Sequence, residues 1–253
     1  MGLRIIAGPS GRGKSRYAYD EVIRQSMEHP EKQFFVIVPD QFSMSTAREI
    51  CRLHPRGGIM NIDVLSFTRL AHRIGDETGQ KKRVILDDTG KNLILRRVAL
   101  SLENDLTFLR GRMNRPGYIH EVKSQISEFY QYDVGITELD RIISECAMRG
   151  YLQQKLRDLK LLYKGFSDYI KDKYITSEET LSELCEMTQR SSLLKGSVIV
   201  FDNFTGFTPV QLKVITSMLK VAESVSVLLL CDGRIDDEEN DLFNLTKDLT
   251  GVF

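Results

Sequence analysis

The chain has 253 residues, of which 42% are hydrophobic and 28% are charged, and its formal net charge is zero. This length and composition are typical of a globular protein that buries a core without disulfides or metals. The balanced charge excludes nucleic-acid binding that rests on net positive charge alone. Four dispersed cysteines without a CxxC pair predict reduced thiols in a cytoplasmic protein. No window reaches the roughly 18 apolar residues of a membrane span, so no membrane partner is expected.

Three apolar runs near the start of the chain are predicted to form buried parallel strands: residues 3–7, 34–38 and 62–65. A helical pattern follows each run, with predicted helix starts near Gly13, Ser43 and Ser66. Repeated strand–helix units of this kind indicate an α/β fold with a parallel sheet.

Between residues 84 and 194 the pattern changes to consecutive amphipathic helices with no convincing strand between them. Strand patterns return at residues 197–201 and 224–231, separated by a helical pattern at 210–222. We therefore predict a helical insertion at 84–194 that interrupts an α/β unit formed by residues 1–83 and 195–253.

Residues 8–15 read Gly-Pro-Ser-Gly-Arg-Gly-Lys-Ser and match the phosphate-binding pattern GxxxxGK[ST] in full. Glycines let backbone N–H groups approach phosphates closely, and the positive end of the following helix faces the same anion. Lys14 is expected to reach the β- and γ-phosphates, and the Ser15 hydroxyl to bind Mg²⁺. The predicted nucleotide-binding residues of this P-loop are Gly8, Gly11, Arg12, Gly13, Lys14 and Ser15.

A second element of a nucleotide site is the apolar run at 198–201, which ends in Asp202. An aspartate of this kind holds Mg²⁺ in P-loop proteins, whereas many strands elsewhere end in an aspartate that only caps the chain. Because a complete P-loop is also present, we predict a magnesium site formed by Ser15 and Asp202.

Residues 202–211 read Asp-Asn-Phe-Thr-Gly-Phe-Thr-Pro-Val-Gln and resemble the motif DEFQDTxPxQ of UvrD-like superfamily 1 helicases. Asp202, Phe204, Pro209 and Gln211 fall in register with it. Val-Pro-Asp-Gln-Phe at 38–42 and Leu-Ser-Phe-Thr-Arg-Leu-Ala at 65–71 resemble the next two helicase segments. Together these phrases resemble the N-terminal part of AddB/RexB, one of the two chains of the bacterial ATP-dependent helicase/nuclease that processes double-strand breaks. The resemblance covers nearly the whole chain.

The resemblance implies a RecA-like P-loop domain (helicase domain 1A) with a parallel sheet, interrupted by an all-helical 1B-type insertion. It implies that the ligand is Mg²⁺ with ATP and that Gln211 joins the nucleotide-binding residues. It also implies DNA contacts at two strand-end turns, although such residues also serve as ordinary turn and cap residues. The implied DNA-binding residues are Asp40, Gln41, Ser66, Phe67 and Thr68.

For a complete family member, the resemblance implies DNA as substrate, an AddA-like helicase/nuclease chain as heterodimer partner, and a role in repair by recombination. A nuclease domain and an iron–sulfur cluster are implied only for a C-terminal part outside these 253 residues.

One departure from the helicase motif bears on catalysis. Asn203 stands where an active helicase has a glutamate that activates the attacking water. An asparagine amide orients a water but cannot accept its proton at neutral pH. We therefore expect ATP binding with weak or no hydrolysis. Two other functions stay open: an active P-loop ATPase or kinase that uses another carboxylate, and a DNA-binding scaffold with a vestigial P-loop.

Overall fold

A computed structural model describes residues 2–80, 83–146 and 148–231 of the chain. The chain divides into two compact units, one formed by Met1–Gln80 with Leu181–Phe253 and the other by Lys81–Thr180. The predicted segment 195–253 therefore lies within the described residues only as far as Cys231.

The described residues contain seven strands: β1 (Gly2–Gly8), β2 (Phe34–Ile37), β3 (Ile62–Leu65), β4 (Val84–Ile85), β5 (Tyr174–Ile175), β6 (Val198–Phe201) and β7 (Ser224–Leu230). They contain nine α-helices: α1 (Lys14–Glu28), α2 (Ser43–Leu53), α3 (Phe67–Thr78), α4 (Asp88–Ser101), α5 (Pro116–Gln131), α6 (Ile136–Glu145), α7 (Gly150–Ile170), α8 (Ser177–Thr188) and α9 (Pro209–Leu219). None of these helices is both long and apolar enough to cross a membrane.

The first unit is built on a five-stranded parallel sheet in the order β1-β7-β6-β2-β3. The register aligns Phe201 of β6 with Ile37 on one side and Val227 on the other. It aligns Gly8 of β1 with Leu230 of β7. Because all strands run in the same direction, their C-terminal ends meet at one edge, where ligands bind in open α/β sheets. The predicted α/β class with a parallel sheet is confirmed.

Helices cover both faces of this sheet, as a parallel sheet requires. On one face, Phe34 and Val36 of β2 pack with Tyr19 of α1 and Ile50 of α2. The other face is covered by α3, α9 and the second half of α8, with Leu70, Leu184, Val214 and Met218 among the buried residues. All residues of β2 and β6 are buried, which explains why both strands read as continuous apolar runs.

The second unit packs α4, α5, α6 and α7 around a core of its own, in which Leu95, Leu162 and Phe166 are almost fully buried. This unit also contains a parallel pair formed by β4 and β5. The predicted all-helical insertion therefore differs from the structure in this detail. Each strand has two residues, and a run that short leaves no strand period in the sequence.

The second compact unit ends at Thr180, whereas the insertion is predicted to extend to Leu194. The difference arises because the second half of α8 buries Leu184 in the core cluster of the sheet, where Leu194 also packs. Glu77 of α3 holds the same stretch of chain, since its carboxylate accepts a hydrogen bond of 2.5 Å from the Ser191 hydroxyl. Residues 181–194 thus belong to the α/β unit.

Gly165 of α7 lies where α7 packs closely against α4. A Cβ at this position would lie 2.7 Å from Val98 Cγ1 and 3.2 Å from Leu102 Cδ1. We predict that Gly165→Ala lowers the free energy of unfolding by about 1–3 kcal/mol, because it overpacks the helix interface. Urea unfolding followed by circular dichroism measures this change.

The matched control for this prediction is Gly117→Ala in α5, where an added Cβ meets no atom within 4 Å. Alanine has the higher helix propensity, so this variant is expected to keep or raise the unfolding midpoint. Equal midpoints for the two variants would contradict the close approach of α7 and α4.

Candidate nucleotide-binding site

The P-loop joins β1 to α1 and depends on glycine at two positions. Gly11 and Gly13 have φ values of +73° and +79°, in the left-handed region that other residues rarely adopt. A Cβ at either position would meet no atom within 4 Å, so backbone conformation rather than lack of space requires glycine. Gly13 is also the N-cap of α1 and leaves the first N–H groups of the helix without a side-chain acceptor. These N–H groups are available to an anion.

Lys14 lies across this loop. Its ammonium Nζ donates hydrogen bonds to the carbonyl oxygens of Gly8 (2.7 Å) and Pro9 (2.9 Å), and the side chain is half-buried. The positive charge is thereby held beside the backbone N–H groups of the loop. A phosphate placed in the loop would meet both kinds of donor.

A cavity of about 820 Å³ opens in front of the P-loop. It is lined by residues 10–16 of the loop and α1, by Pro39, Gln41 and Phe42 after β2, by Glu49 of α2, by residues 202–206 after β6, and by residues 228–230 of β7. The lining contains three cationic side chains, Arg12, Lys14 and Arg16, and two carboxylates, Glu49 and Asp202. Cationic side chains together with a helix N-terminus favour an anionic ligand.

Asp202 follows β6 directly, and only 4% of its surface is exposed. The backbone N–H of Asn203 donates to its Oδ1 at 2.7 Å, and the Asn203 amide Nδ2 donates to its Oδ2 at 3.3 Å. The Tyr19 hydroxyl of α1 donates to the same Oδ2 at 2.5 Å. Burial, and then the charge of Asp202, raise the pKa of Tyr19 well above its usual value, so the hydroxyl keeps its proton.

The chain turns sharply after Asp202. Asn203 has a φ of +63°, in the left-handed region, which asparagine tolerates better than most residues. The next residue, Phe204, packs with three other phenylalanines, with ring centroids 5.5 Å from Phe67 and 4.9 Å from Phe207. The fourth member, Phe201, belongs to β6. This four-phenylalanine cluster fixes the turn to the core of the sheet.

Most of the predicted nucleotide and magnesium residues come together on this cavity. Gly11, Arg12, Gly13, Lys14, Ser15, Asp202 and Asn203 all line it. Gly8 lies behind it as an acceptor for Lys14. Gln211 is not among the lining residues. Its side-chain oxygen accepts a hydrogen bond from the Thr208 N–H at 2.9 Å, which closes a capping box at the start of α9.

The implied DNA-binding residues lie in two different environments. Asp40 and Gln41 are exposed in a short 3₁₀ turn after β2, and Gln41 lines the cavity. Ser66 is buried as the N-cap of α3, and Phe67 is 5% exposed within the four-phenylalanine cluster. Thr68 is half-buried. DNA contact by the Phe67 ring would require it to leave the core.

Two residues of this site do not stand out in the sequence. Tyr19 belongs to no motif and reads as one more apolar position of α1, although its hydroxyl contacts Asp202. Glu49 lies on α2, far along the chain from either nucleotide motif, yet it lines the cavity. Only the packing of α1 and α2 on the same face of the sheet brings them to the site.

The donors at the site suit a hard divalent cation. The Ser15 hydroxyl and the Asp202 carboxylate supply oxygen ligands, which Mg²⁺ prefers. Within residues 2–80, 83–146 and 148–231, no three His, Cys, Asp or Glu side chains are grouped as a metal site. Two protein oxygens therefore fit a magnesium ion that takes its remaining ligands from phosphates and water. The four cysteines are half-buried, and no disulfide joins them.

Comparison with known proteins gives a consistent result. The family model described as "ADDB, N-terminal" matches residues 5–251. The chain is 40% identical over 249 residues to the B subunit of the ATP-dependent helicase/deoxyribonuclease of Lachnoclostridium phytofermentans, covering 97% of this chain and 22% of the relative. Proteins with the same name from Alkaliphilus metalliredigens and Clostridium perfringens are 33% and 34% identical, each covering 98% of this chain and 22% and 21% of the relative. The chain thus spans about a fifth of the length of these relatives.

The left-handed conformation of Asn203 gives a direct prediction. We expect Asn203→Ala to be less stable to urea than Asn203→Gly by about 1 kcal/mol, because only glycine adopts this φ without a steric cost. Both variants lose the amide donor to Asp202, so the difference between them isolates the backbone. A more stable alanine variant would contradict the conformation of the turn.

Proposed function

This chain belongs to the family of ADDB N-terminal regions, and from that membership we propose that it is an ATP-binding, helicase-like region with weak or no hydrolysis of its own. The observation that carries the proposal is the cavity shared by a complete P-loop and the buried carboxylate of Asp202. We assign the α/β unit as a RecA-like domain 1A and the unit Lys81–Thr180 as a 1B-type insertion.

In this proposal each residue of the site has a role that follows from its chemistry. The N–H groups at the start of α1 and the Lys14 ammonium bind the phosphates. The Ser15 hydroxyl and the Asp202 carboxylate would hold the magnesium ion, which neutralises phosphate charge when bound. Asn203 orients a water without accepting its proton, and this absence of a base limits hydrolysis.

A specific observation favours a second candidate function, that of an active ATPase. Glu49 of α2 lines the same cavity and supplies a carboxylate that is able to act as a general base in place of the missing glutamate. If the chain turns over ATP, Glu49→Gln is expected to abolish the turnover while nucleotide affinity stays unchanged. Turnover that survives this substitution would exclude Glu49 as the base.

For the longer protein we propose the activity that its relatives are named for. These relatives are the B subunits of ATP-dependent helicase/deoxyribonucleases. The words "subunit" and "deoxyribonuclease" in that name support a partner chain and a DNA substrate. We propose that the partner is an AddA-like chain and that the complex acts in double-strand break repair in the cytoplasm. In this proposal the nuclease domain and the iron–sulfur cluster belong to the part of such proteins that these 253 residues do not cover.

We further propose that DNA contacts the edge of the α/β unit at Asp40, Gln41 and Thr68, next to the nucleotide cavity. Gln41 is exposed there and lines the cavity. In a DNA-binding scaffold with a vestigial P-loop, the same edge would bind DNA while nucleotide binding would be absent.

The experiment that tests nucleotide binding is calorimetric titration with Mg²⁺–ATP, with phosphate release followed in the same sample. We expect binding with little or no release. Lys14→Met is expected to weaken binding roughly 10- to 100-fold, because it removes a charged donor to the phosphates. Lys155→Met, an exposed lysine of α7, is the charge-matched control. Equal affinity in the wild type and Lys14→Met would overturn the assignment of the P-loop.

DNA binding is tested by fluorescence anisotropy with a labelled oligothymidine at increasing salt. The logarithm of the affinity is expected to fall with a slope of about −0.7 for each phosphate neutralised. Gln41→Ala should weaken binding, and Gln189→Ala, an exposed glutamine beyond α8, should not. Undetectable or salt-independent binding would remove DNA contact from this part of the protein.

A further inference from the structure

Tyr19 has a contact that no nucleotide motif accounts for. It lies on α1, its exposed fraction is 1%, and its hydroxyl donates to Oδ2 of Asp202 at 2.5 Å. A buried tyrosine hydroxyl usually finds a hydrogen-bond partner. Here the hydroxyl is bonded to the buried carboxylate at the nucleotide cavity.

Among the residues that the structure describes, the other donors to the Asp202 carboxylate come from its own turn. Both belong to Asn203, the next residue in the chain. They fix the carboxylate relative to the end of β6 and not relative to the P-loop. Tyr19 therefore links Asp202 by a hydrogen bond to α1, the helix that also carries Lys14 and Ser15.

The spacing of Tyr19 and Ser15 on α1 connects this hydrogen bond with the predicted magnesium ligands. Ser15 and Tyr19 are four residues apart on α1, so their side chains lie on the same face of the helix, one turn apart. The hydrogen bond from Tyr19 thus sets where the Asp202 carboxylate lies relative to the Ser15 hydroxyl. Those two groups are the oxygen ligands that the proposed function assigns to magnesium.

A third element contacts the Tyr19 hydroxyl. Thr46 of α2 is 3% exposed, and its side chain hydrogen-bonds with Tyr19. A tyrosine hydroxyl has one proton, which here points to Asp202. A Thr46 hydroxyl that donates to the Tyr19 oxygen leaves that proton in place, so Thr46, Tyr19 and Asp202 form a directed chain from α2 through α1 to the end of β6.

We propose that Tyr19 is a positioning residue for the magnesium ion of the bound nucleotide, holding Asp202 at a fixed place opposite Ser15, with Thr46 orienting its hydroxyl. This inference rests on the proposed function, because it requires Mg²⁺–nucleotide to bind at the P-loop. Magnesium demands near-ideal octahedral geometry and tolerates displaced ligands poorly. Loss of a hydrogen-bonding partner of a metal ligand costs roughly 10- to 100-fold in metal affinity.

The test compares nucleotide binding with and without magnesium. A fluorescent ATP analogue is titrated in excess EDTA, and Mg²⁺ is then titrated at fixed nucleotide. Tyr19→Phe keeps the buried ring and removes only the hydroxyl. We expect it to raise the Mg²⁺ concentration at half-saturation roughly 10- to 100-fold, with the affinity in EDTA unchanged. A defect in packing alone would weaken both affinities together.

Tyr17→Phe is the matched control, because it removes the same group from the same helix at a half-exposed position that contacts Arg4. It should leave both affinities unchanged. Thr46→Val keeps the shape of the threonine side chain and removes its hydroxyl, and it should shift the Mg²⁺ midpoint in the same direction by less. Thr46→Val therefore carries the test if Tyr19→Phe does not fold.

The possible outcomes distinguish failure of the proposed function from failure of the role of Tyr19. A wild-type chain that binds no nucleotide overturns the proposed function and this inference with it. A wild-type chain whose nucleotide binding depends on Mg²⁺, beside a folded Tyr19→Phe with an unchanged Mg²⁺ midpoint, overturns the role of Tyr19 alone.

Discussion

Parallel pairing of the five strands in the first unit is the constraint from which the arrangement of the candidate site follows. β1 and β6 are not neighbours, since β7 lies between them and pairs with both. Because all three strands run in the same direction, the P-loop after β1 and Asp202 after β6 open on the same edge. A P-loop alone offers one protein oxygen to magnesium, and a strand-terminal aspartate alone offers no phosphate site. The shared edge places both on one cavity, and the hydroxyl of Tyr19 on α1 donates to Asp202 there.

The parts of this arrangement that depend on local sequence could be predicted, and the parts that depend on packing could not. The P-loop glycines and the strands buried on both faces leave a clear pattern in the sequence, and the structure has strands and helices at the predicted places. Gln211 falls in register with the helicase motif. Whether its amide faces a nucleotide or caps α9 is decided by the turn before the helix, which the motif does not specify. Tyr19 and Glu49 reach the cavity only because α1 and α2 share a face of the sheet. The boundary between the two units falls within α8, which a helical period cannot reveal.

Asn203 combines two structural features at the end of β6. Its left-handed backbone conformation shapes the turn, and its amide donates to the carboxylate that precedes it. A glutamate at this position would bring a second negative charge beside Asp202, lose that donor, and adopt this φ at a higher cost. The residue to which the proposed function assigns weak hydrolysis therefore also contributes to the geometry that holds Asp202. A general base on another element, such as Glu49 of α2, would leave the conformation of this turn unchanged.

β1 is an edge strand of the sheet, and among the described residues it pairs only with β7. Within the described part of the chain, one side of its seven residues therefore has no strand partner, next to the partly exposed side chain of Ile5. Such an edge is a template for adding a further strand, whether from a longer polypeptide or from a second molecule. Arg4, held by Glu21 at 2.7 Å, places a fixed charge in the middle of that edge. Charged residues at an edge disfavour its pairing with the edge of an identical chain, and Arg4 is such a residue on the strand that precedes the P-loop.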